Sequence, residues 1–417
     1  MRRRVRVRVR TVVVGVGVGA LLLGGCDGSD GMHRLDPDVG FVGVADDAAG
    51  SQDMVAASVR LASRLVALVA ADEDAVVSPV SLQLALALLR EGASGRVAEE
   101  IDAAAGLDGD SQAVADLRAL LATYEGDVAG IDPDDPPAVP ILHIADSVFV
   151  QAGFDVEQTF LDRVGSFHGA HTYEVDFAEG DPKPQLDAWV ARETGGLLEQ
   201  APAKISPMTR MVLMDAVTFG ATWRSTFPES GTYDEAFTRA DGSEVDVPMM
   251  HQLISTGYAS GDTWVAAELP YTEGFAMRVV LPDGAAVTEE DWLAAHAALD
   301  RAGVETFELT MPSWKTDATL DLTDALEMLG LGSLATPAGG LDGVFADAFV
   351  SSVAQGATIT VAEQGTVAAA VTATSMEAGA APVLPELELV LDRPFEYQVV
   401  EQSTGLVLFA GRVADPS

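Results

Sequence analysis

Apolar residues from Gln52 to Ala71 recur at spacings of three and four (Val55, Val59, Ala62, Val66, Val69), and Leu61, Leu65 and Leu68 widen the stripe. That period predicts a helix with one buried face. A second helix is predicted after Ser78-Pro79, with Ser as cap and Pro at the first helical position. Its LQLALALL run is apolar nearly all round, which predicts burial on most sides. Residues 125–140 hold five acids and four prolines and predict a solvated loop. Thereafter strands multiply. His143–Val150, Arg210–Phe219, Trp264–Leu269, Met277–Leu281, Thr306–Met311, Leu387–Leu391, Phe395–Glu401 and Leu406–Val413 are rich in Val, Phe, Leu or Tyr, most of them flanked by Gly, Pro or Asp. Helical stretches are expected at Thr159–Phe167, Lys183–Glu199, Glu289–Ala302 and Leu320–Leu329. With no repeat of roughly 20 to 50 residues, a solenoid or propeller is not expected. A helix-rich first third followed by a strand-rich remainder points to one α+β domain.

The length of 417 residues changes this little, because one large domain can exceed the usual size of about 150. Hydrophobic residues make up 48% and charged residues 21%, enough apolar material for a large core. Charge is more decisive. There are 64 acids against 24 bases, a net charge of -40, and Lys occurs only at Lys183, Lys204 and Lys315. Such a surface excludes a nucleic-acid partner, which needs clustered Lys and Arg.

Six of the bases are arginines within the first ten positions, and an apolar, Gly-containing stretch from Thr11 to Gly25 follows, ending at Cys26. This is the order of a secretory signal, and its apolar part is shorter than the about 20 residues of a spanning helix. The string Leu23-Gly24-Gly25-Cys26 resembles a bacterial lipobox. By that resemblance residues 1–25 are a signal peptide and Cys26 is lipidated, anchoring an exported protein to the cell envelope; an ordinary cleaved signal with an incidental Cys is the other reading. Residues 26–50, rich in Gly and Asp, read as a flexible tether, leaving 51–417 as the folded domain. Cys26 is the only cysteine, so no disulfide forms within the chain. Without residues 1–25 the balance is 18 bases to 64 acids, which repels anionic lipid and leaves the lipidated Cys26 as the only membrane contact expected.

Candidate catalytic chemistry is mostly excluded. The sequence has no G-x-S-x-G elbow, no Ser three residues before a Lys, no H-E-x-x-H and no P-loop. His168 and His171 could share a helical face, but no third ligand stands at a usual spacing, so no metal site is expected. His33, His143, His251 and His296 are scattered.

The informative segment is EQGTVAAAVTATSMEAGAAPVL, residues 363–384. From Thr366 to Ala381 it has no Pro and one charge, Glu377. Taken alternately, one face reads Thr366, Ala368, Ala370, Thr372, Thr374, Met376, Ala378, and Glu377 falls on the other. Small or apolar residues along one whole face suit a strand that must enter an already packed sheet. The pattern alone also fits an Ala/Thr linker or a weak buried strand.

Beyond this segment, the chain resembles the serpin family over residues 51–417. The matching strings run in order along the chain: SPVSLQLALALLREGASGRVAEEI from Ser78, HIADSVFV from His143, LDAWVARETGG from Leu186, TRMVLMDAVTFGATWRSTF from Thr209, VPMMHQ from Val247, ELPY from Glu268, MPSWK from Met311 and LFAGRVADP from Leu408. The resemblance implies an α+β domain with three β-sheets, eight or nine helices and an exposed reactive-centre loop at about 363–384. Glu363, Gly365, Thr366, Val367, Ala368, Ala369 and Ala370 then resemble the hinge of that loop. It implies a protease inhibitor, not an enzyme, with no cofactor, acting as a monomer. A target serine protease, or a cysteine protease, attacks the loop and forms an acyl-enzyme; the freed segment inserts into the largest sheet and carries the protease away. Serpin loop insertion is a known instance of strand addition. A strand of roughly a dozen residues, at about 1 kcal/mol net per hydrogen bond, supplies on the order of ten kcal/mol. No charged or bulky residue interrupts the inserting face before Met376, which favours inhibition over the alternative, a non-inhibitory surface-binding lipoprotein. The basic helical surface by which some members bind heparin has no counterpart, since residues 108–135 contain one base, Arg118; no heparin-type polyanion is expected.

Two positions depart from the family pattern in the region where the sheet must open. Ser78 and Ser81 match, but Asp215 stands where the family carries Asn and Gln355 where it carries His. A Gln amide can donate to a carboxylate, so the two form a swapped hydrogen bond or the region merely tolerates variation. The scissile bond depends on the count. Seventeen residues from Glu363 give Gly379-Ala380, whereas counting back from Arg393-Pro394-Phe395 gives Val383-Leu384. The hinge count is preferred because the inserted length is physically constrained. Either way a small or aliphatic residue precedes the bond, and no Lys or Arg occurs from Thr316 to Asp392, so the expected target is elastase-like or subtilisin-like.

Overall fold

The computed structural model describes residues 32–45, 52–132, 135–201, 203–284, 286–336, 340–366 and 387–417. In chain order these form β1 (His33–Leu35), α1 (Gln52–Val66), β2 (Ala75–Val77), α2 (Pro79–Arg90), α3 (Gly95–Ala105) and α4 (Ser111–Leu121). There follow β3 (Ile141–Gln151), α5 (Gln158–Arg163), β4 (His171–Val175), α6 (Lys183–Glu193), β5 (Met211–Thr222), β6 (Thr232–Thr238) and β7 (Glu244–Ser260). The rest are β8 (Trp264–Pro270), β9 (Phe275–Pro282), α7 (Glu289–Leu299), β10 (Val304–Pro312), β11 (Trp314–Asp321), β12 (Ser352–Val361), β13 (Gly365–Thr366), β14 (Glu388–Val390), β15 (Phe395–Glu401) and β16 (Val407–Val413).

Local chemistry sets several of these limits. The Ser78 hydroxyl caps α2 by accepting from the Ser81 amide at 3.3 Å, with Pro79 at the first helical position. Thr288 and Asp291 form a reciprocal capping box on α7. α3 ends where Gly106 turns left-handed at φ 68°, a conformation that favours glycine.

The strands pair into a seven-stranded sheet, ordered β1-β4-β3-β5-β13-β12-β11, and a nine-stranded one, β14-β10-β7-β8-β9-β15-β16-β2 with β6 also on β7. The third sheet expected from the resemblance is continuous with the second, because the long β7 serves both. Its residues up to Gly257 pair with β6 and β10, and Tyr258–Ser260 pair with β8. Every residue of α2 from Pro79 to Leu89 is buried, as its all-round apolarity predicts, and the helix packs on β3, β5 and β16. It is therefore the floor beneath the seven-stranded sheet. Seven α-helices occur among the described residues.

Two expectations need correction. Leu320–Leu329 is not a helix: its start completes β11, and a short 3-10 turn at Thr323–Ala325 follows. The apolar spacing there belongs to a turn that buries Leu322, Leu326 and Leu329. The stretch read as a loose tether in part lies on the domain. His33–Leu35 adds an edge strand to β4, and the amides of Asp38, Val42 and Val44 bond to Asp162, Ser166 and Asp116.

Candidate functional site

β5 and β12 are the two strands that matter most. They run parallel, and their direct pairing extends from Ser352↔Val212 to Gly356↔Ala216. Above that point they diverge, and Gly365–Thr366 enters between them as β13. Gly365 and Thr366 lie antiparallel to Thr222 and Ala221 on one side, and Thr366 opposes Val361 on the other. The chain reverses through a tight turn in which Ala362 and Gly365 exchange backbone hydrogen bonds of 3.0 and 3.2 Å.

The entry is held by groups outside the hinge. Trp223 donates its backbone amide to Gln364 O and its indole N–H to Ala362 O, at 2.8 and 2.9 Å. Phe227 N donates to Glu363 O at 2.8 Å, and the Thr232 hydroxyl donates to the Glu363 carboxylate at 2.8 Å. The Thr366 hydroxyl lies 2.5 Å from the hydroxyl of Tyr271, whose ring stacks on Trp223 at 4.3 Å between centroids. Burial pushes the Tyr271 phenol well up, so it stays a neutral donor or acceptor. Gly365 is required by close approach: a Cβ there would sit 2.2 Å from Ala221 O.

Below the divergence, the structure brings together Ser78, Ser81, Asp215 and Gln355. Asp215 and Gln355 are register partners across the β5–β12 seam, and their side chains point inward to the N-terminus of α2. Asp215 Oδ1 accepts from the Ser81 hydroxyl at 2.5 Å and from Gln355 Nε2 at 3.3 Å. Gln355 also donates to Ser78 O at 2.7 Å and accepts from Ser78 N at 3.0 Å, while the Ser78 hydroxyl donates to Leu408 O at 2.7 Å. Asp215 Oδ2 has no partner among the described residues. Burial pushes the Asp215 carboxyl up from 3.8 to about 7; the hydrogen bond from Ser81 opposes this, and the nearby Asp146 carboxylate adds to it.

Val367, Ala368, Ala369 and Ala370, both candidate scissile bonds (Gly379-Ala380 and Val383-Leu384) and the lipidation candidate Cys26 lie outside the described residues. His168 and His171 do not share a helical face, since Gly169 turns left-handed between them at φ 59° and His171 begins β4. No cluster of three or more metal-ligating side chains occurs among the described residues. Sequence reasoning missed Trp223 and Tyr271 as hinge supports; their signal was there in the blocks TRMVLMDAVTFGATWRSTF and ELPY.

A family model described as Serpin (serine protease inhibitor) matches residues 54–416. The chain belongs to the serpin family. An uncharacterised serpin-like protein of Thermococcus kodakarensis is 32% identical over 351 residues, covering 81% of this chain and 80% of its own. Serpin-ZXA of Oryza sativa is 30% identical, covering 83% and 91%. Among solved structures, the thermophilic serpin tengpin in its native state superposes with a TM-score of 0.78 at 22% identity, covering 92% of this serpin and 99% of tengpin. A thyroxine-binding globulin complex with thyroxine superposes at 0.71 and 23% identity, covering 88% and 99%. These superpositions show the fold alone, and a fold does not by itself fix a function. Members of the family are typically protease inhibitors rather than enzymes.

Proposed function

We propose that this serpin is a suicide inhibitor of elastase-like or subtilisin-like serine proteases, held outside the cell by a lipidated Cys26. The observation that carries the reading is the register of the hinge. Continuing β13 in register would set Val367 opposite Gly220 and Thr360, and Ala370 opposite Val217 and Ala357. Those four residues match the interval between the hinge and the first direct β5–β12 pair, Gly356↔Ala216. They are also the small residues Val-Ala-Ala-Ala. Insertion can begin there without breaking any direct β5–β12 pair.

The orientation agrees with the sequence pattern. Thr366 is buried on the inner side, against Tyr271. Alternation then directs Ala368, Ala370, Thr372 and Thr374 inward and the charge of Glu377 outward. Small or uncharged side chains throughout the inward set keep insertion fast relative to deacylation. The target assignment rests on the absence of Lys or Arg from Thr316 to Asp392, which leaves nothing for the acidic pocket of a trypsin-like enzyme.

Incubation with subtilisin, elastase and trypsin, followed by a denaturing gel, tests the reading. A covalent complex with elastase or subtilisin is expected. Cleavage of the loop with no retained complex would assign the protein to the non-inhibitory class. Metabolic lipid labelling that is lost in Cys26→Ala tests the anchor separately.

A further inference from the structure

Residues 32–45 lie along the body of the domain as a strap, and the pairing of β1 fixes the end of the molecule at which they join it. β5 meets the hinge at Thr222, opposite Gly365, and its other end is Met211. β3 is antiparallel to β5 and runs from Ile141 at the hinge end to Gln151 at the far end. β4 follows β3 in parallel, so its last residue, Val175, is level with Gln151. β1 is antiparallel to β4, with His33 opposite Glu174 and Leu35 opposite Thr172. The chain therefore joins the sheet at the end remote from the hinge, about 40 Å away along the twelve residues of β5.

Beyond β1 the strap is closely seated. Asp38 N donates to Asp162 Oδ1 at 2.8 Å, Val42 N to Ser166 O at 2.9 Å and Val44 N to the Asp116 carboxylate at 2.9 Å. A Cβ on Gly165 would overlap Pro37, and one on Gly43 would overlap the Ala115 carbonyl, so strap and body touch without a gap. Only the chain from Cys26 to Met32 then separates a lipid on Cys26 from the domain, and those steps span at most about 20 Å when fully extended. Were the strap loose, the free length would run to Gln52 and reach roughly 90 Å.

Those two lengths decide the orientation. A compact chain of about 385 residues has a radius of gyration of about 21 Å, and as a sphere a radius of about 27 Å. A leash of about 20 Å is shorter than that radius, so its attachment point stays on the half of the domain nearest the bilayer. A leash of roughly 90 Å exceeds the whole diameter and would impose nothing. The turns after β3 and β4, at the attached end, expose Asp155, Glu157, Asp176, Glu179 and Asp181, which hold that end off anionic lipid rather than sinking it. We infer that the docked strap stands the domain on the lipid surface with its hinge end outward, so that the protease it meets arrives from the surrounding medium. This orientation rests on the anchoring at Cys26 proposed above, and not on whether the loop, once attacked, traps the enzyme.

For the test, residues 26–417 are coupled through Cys26, the only cysteine, to a maleimide-bearing lipid in phosphatidylcholine vesicles, so attachment does not wait on lipidation in the cell. A donor dye is carried by a bio-orthogonal residue replacing either Ala152, just past the far end of β3, or Val139, at the hinge end; both positions are exposed. Acceptor dyes lie among the lipid headgroups. Energy transfer from position 152 should exceed that from position 139 several-fold, because the two are about 40 Å apart along β3. Gly43→Val drives a side chain into Ala115 O, and Arg34→Pro with Leu35→Pro removes whichever of these successive amides faces β4. Together they should undock the strap and bring the two efficiencies together, with the melting curve reporting that the domain stays folded. Soluble subtilisin should consume the intact chain equally fast on and off the vesicles, as read on a denaturing gel. Equal or reversed transfer from the two positions, a difference that survives undocking, or consumption slowed several-fold on vesicles would overturn the proposal. Should the undocked variant not fold, the two labelled proteins with an unaltered strap decide alone. Failure of Cys26 to take up lipid in cells would sink the anchoring reading by itself, since the vesicle comparison does not use it.

Discussion

Asp215→Asn isolates the one buried carboxyl in the sheet-opening cluster. Asp215 is fully enclosed, bonded through Oδ1 to Ser81 and Gln355, and faces Asp146 across the β3–β5 pairing, where Asp146 is itself engaged by Arg118. Its folded pKa of about 7 lies above the unfolded value of 3.8. The folded state therefore holds the proton more tightly, and the associated stability is full below pH 3.8, is lost as pH rises towards 7, and levels off above. Between pH 5 and pH 8 about two units of that window are crossed. At 1.36 kcal/mol per unit, the wild type should lose about 3 kcal/mol that an Asn side chain cannot lose. Asn keeps an oxygen for the Ser81 and Gln355 donors and fills the same space. The assay is the midpoint of the first urea transition for both proteins at half-unit steps from pH 5 to 8. With a slope of about 3 kcal/mol/M, the gap between variant and wild type should widen by about 1 M in favour of Asn. Parallel profiles would show that Asp215 does not change its protonation on unfolding. A gap that widened in favour of the wild type would show that the seam needs the charge.

Other consequences can be checked directly. Thr366→Arg places a cation beside the buried Tyr271 hydroxyl, so the variant should be cleaved as a substrate with the stoichiometry of inhibition rising several-fold; unchanged trapping would show that this position does not enter the sheet. Gln355→Ala removes the donor to Ser78 O and Asp215 and the acceptor for Ser78 N, at a cost of about 2–4 kcal/mol, and should bring on polymers at lower temperature in size-exclusion runs after graded warming. Mass spectrometry of the fragment released from a trapped complex reads the scissile bond: 38 residues for cleavage after Gly379, 34 for cleavage after Val383.

Much of the fold was legible because the relevant signals are local. Phe395–Glu401 is a strand with the limits its composition implies, and Trp264–Pro270 exceeds its prediction by one residue. β7 escaped notice because Glu244–Ser260 alternates only loosely, mixing buried Met249 and Met250 with exposed Leu253. β12 was missed for a related reason. SVAQGATITV contains a Gly and a Gln that look unsuited to a central strand, yet Gly356 lies close under Leu198 and Gln355 is bonded beneath the sheet. At the site, the hinge residues and the Asp215 and Gln355 departures were visible as residues. Their juxtaposition was not, since it depends on parallel pairing between strands about 140 positions apart. His168 and His171 stood out only as a spacing, and their actual places, the end of a π-helical turn and the start of β4, depend on the left-handed Gly169 between them.

The loop insertion proposed above requires the Asp215–Gln355 bond to break, and the sequence carries a replacement. Neighbouring strands lie about 4.8 Å apart, so a strand entering between β5 and β12 separates them to about 9.6 Å, beyond the reach of any direct Gln355–Asp215 hydrogen bond. In the hinge register the residue arriving opposite both is Thr372, on the same inward face as Thr366. Its hydroxyl can donate to Asp215, which already has a free Oδ2 before insertion. Removing the hydroxyl while keeping the shape therefore affects one state only. Wild-type protein cleaved in the loop should melt roughly tens of degrees above the intact form, because the inserted strand adds many net hydrogen bonds. Thr372→Val should leave the intact protein unchanged and reduce the stability of the cleaved form by about 1–2 kcal/mol, the cost of a buried acceptor left short of a donor. Calorimetric scans of intact and cleaved protein for both sequences separate the states. A change in the intact form, or none in the cleaved form, would mean that insertion follows a register other than the one set by Gly365 and Thr366.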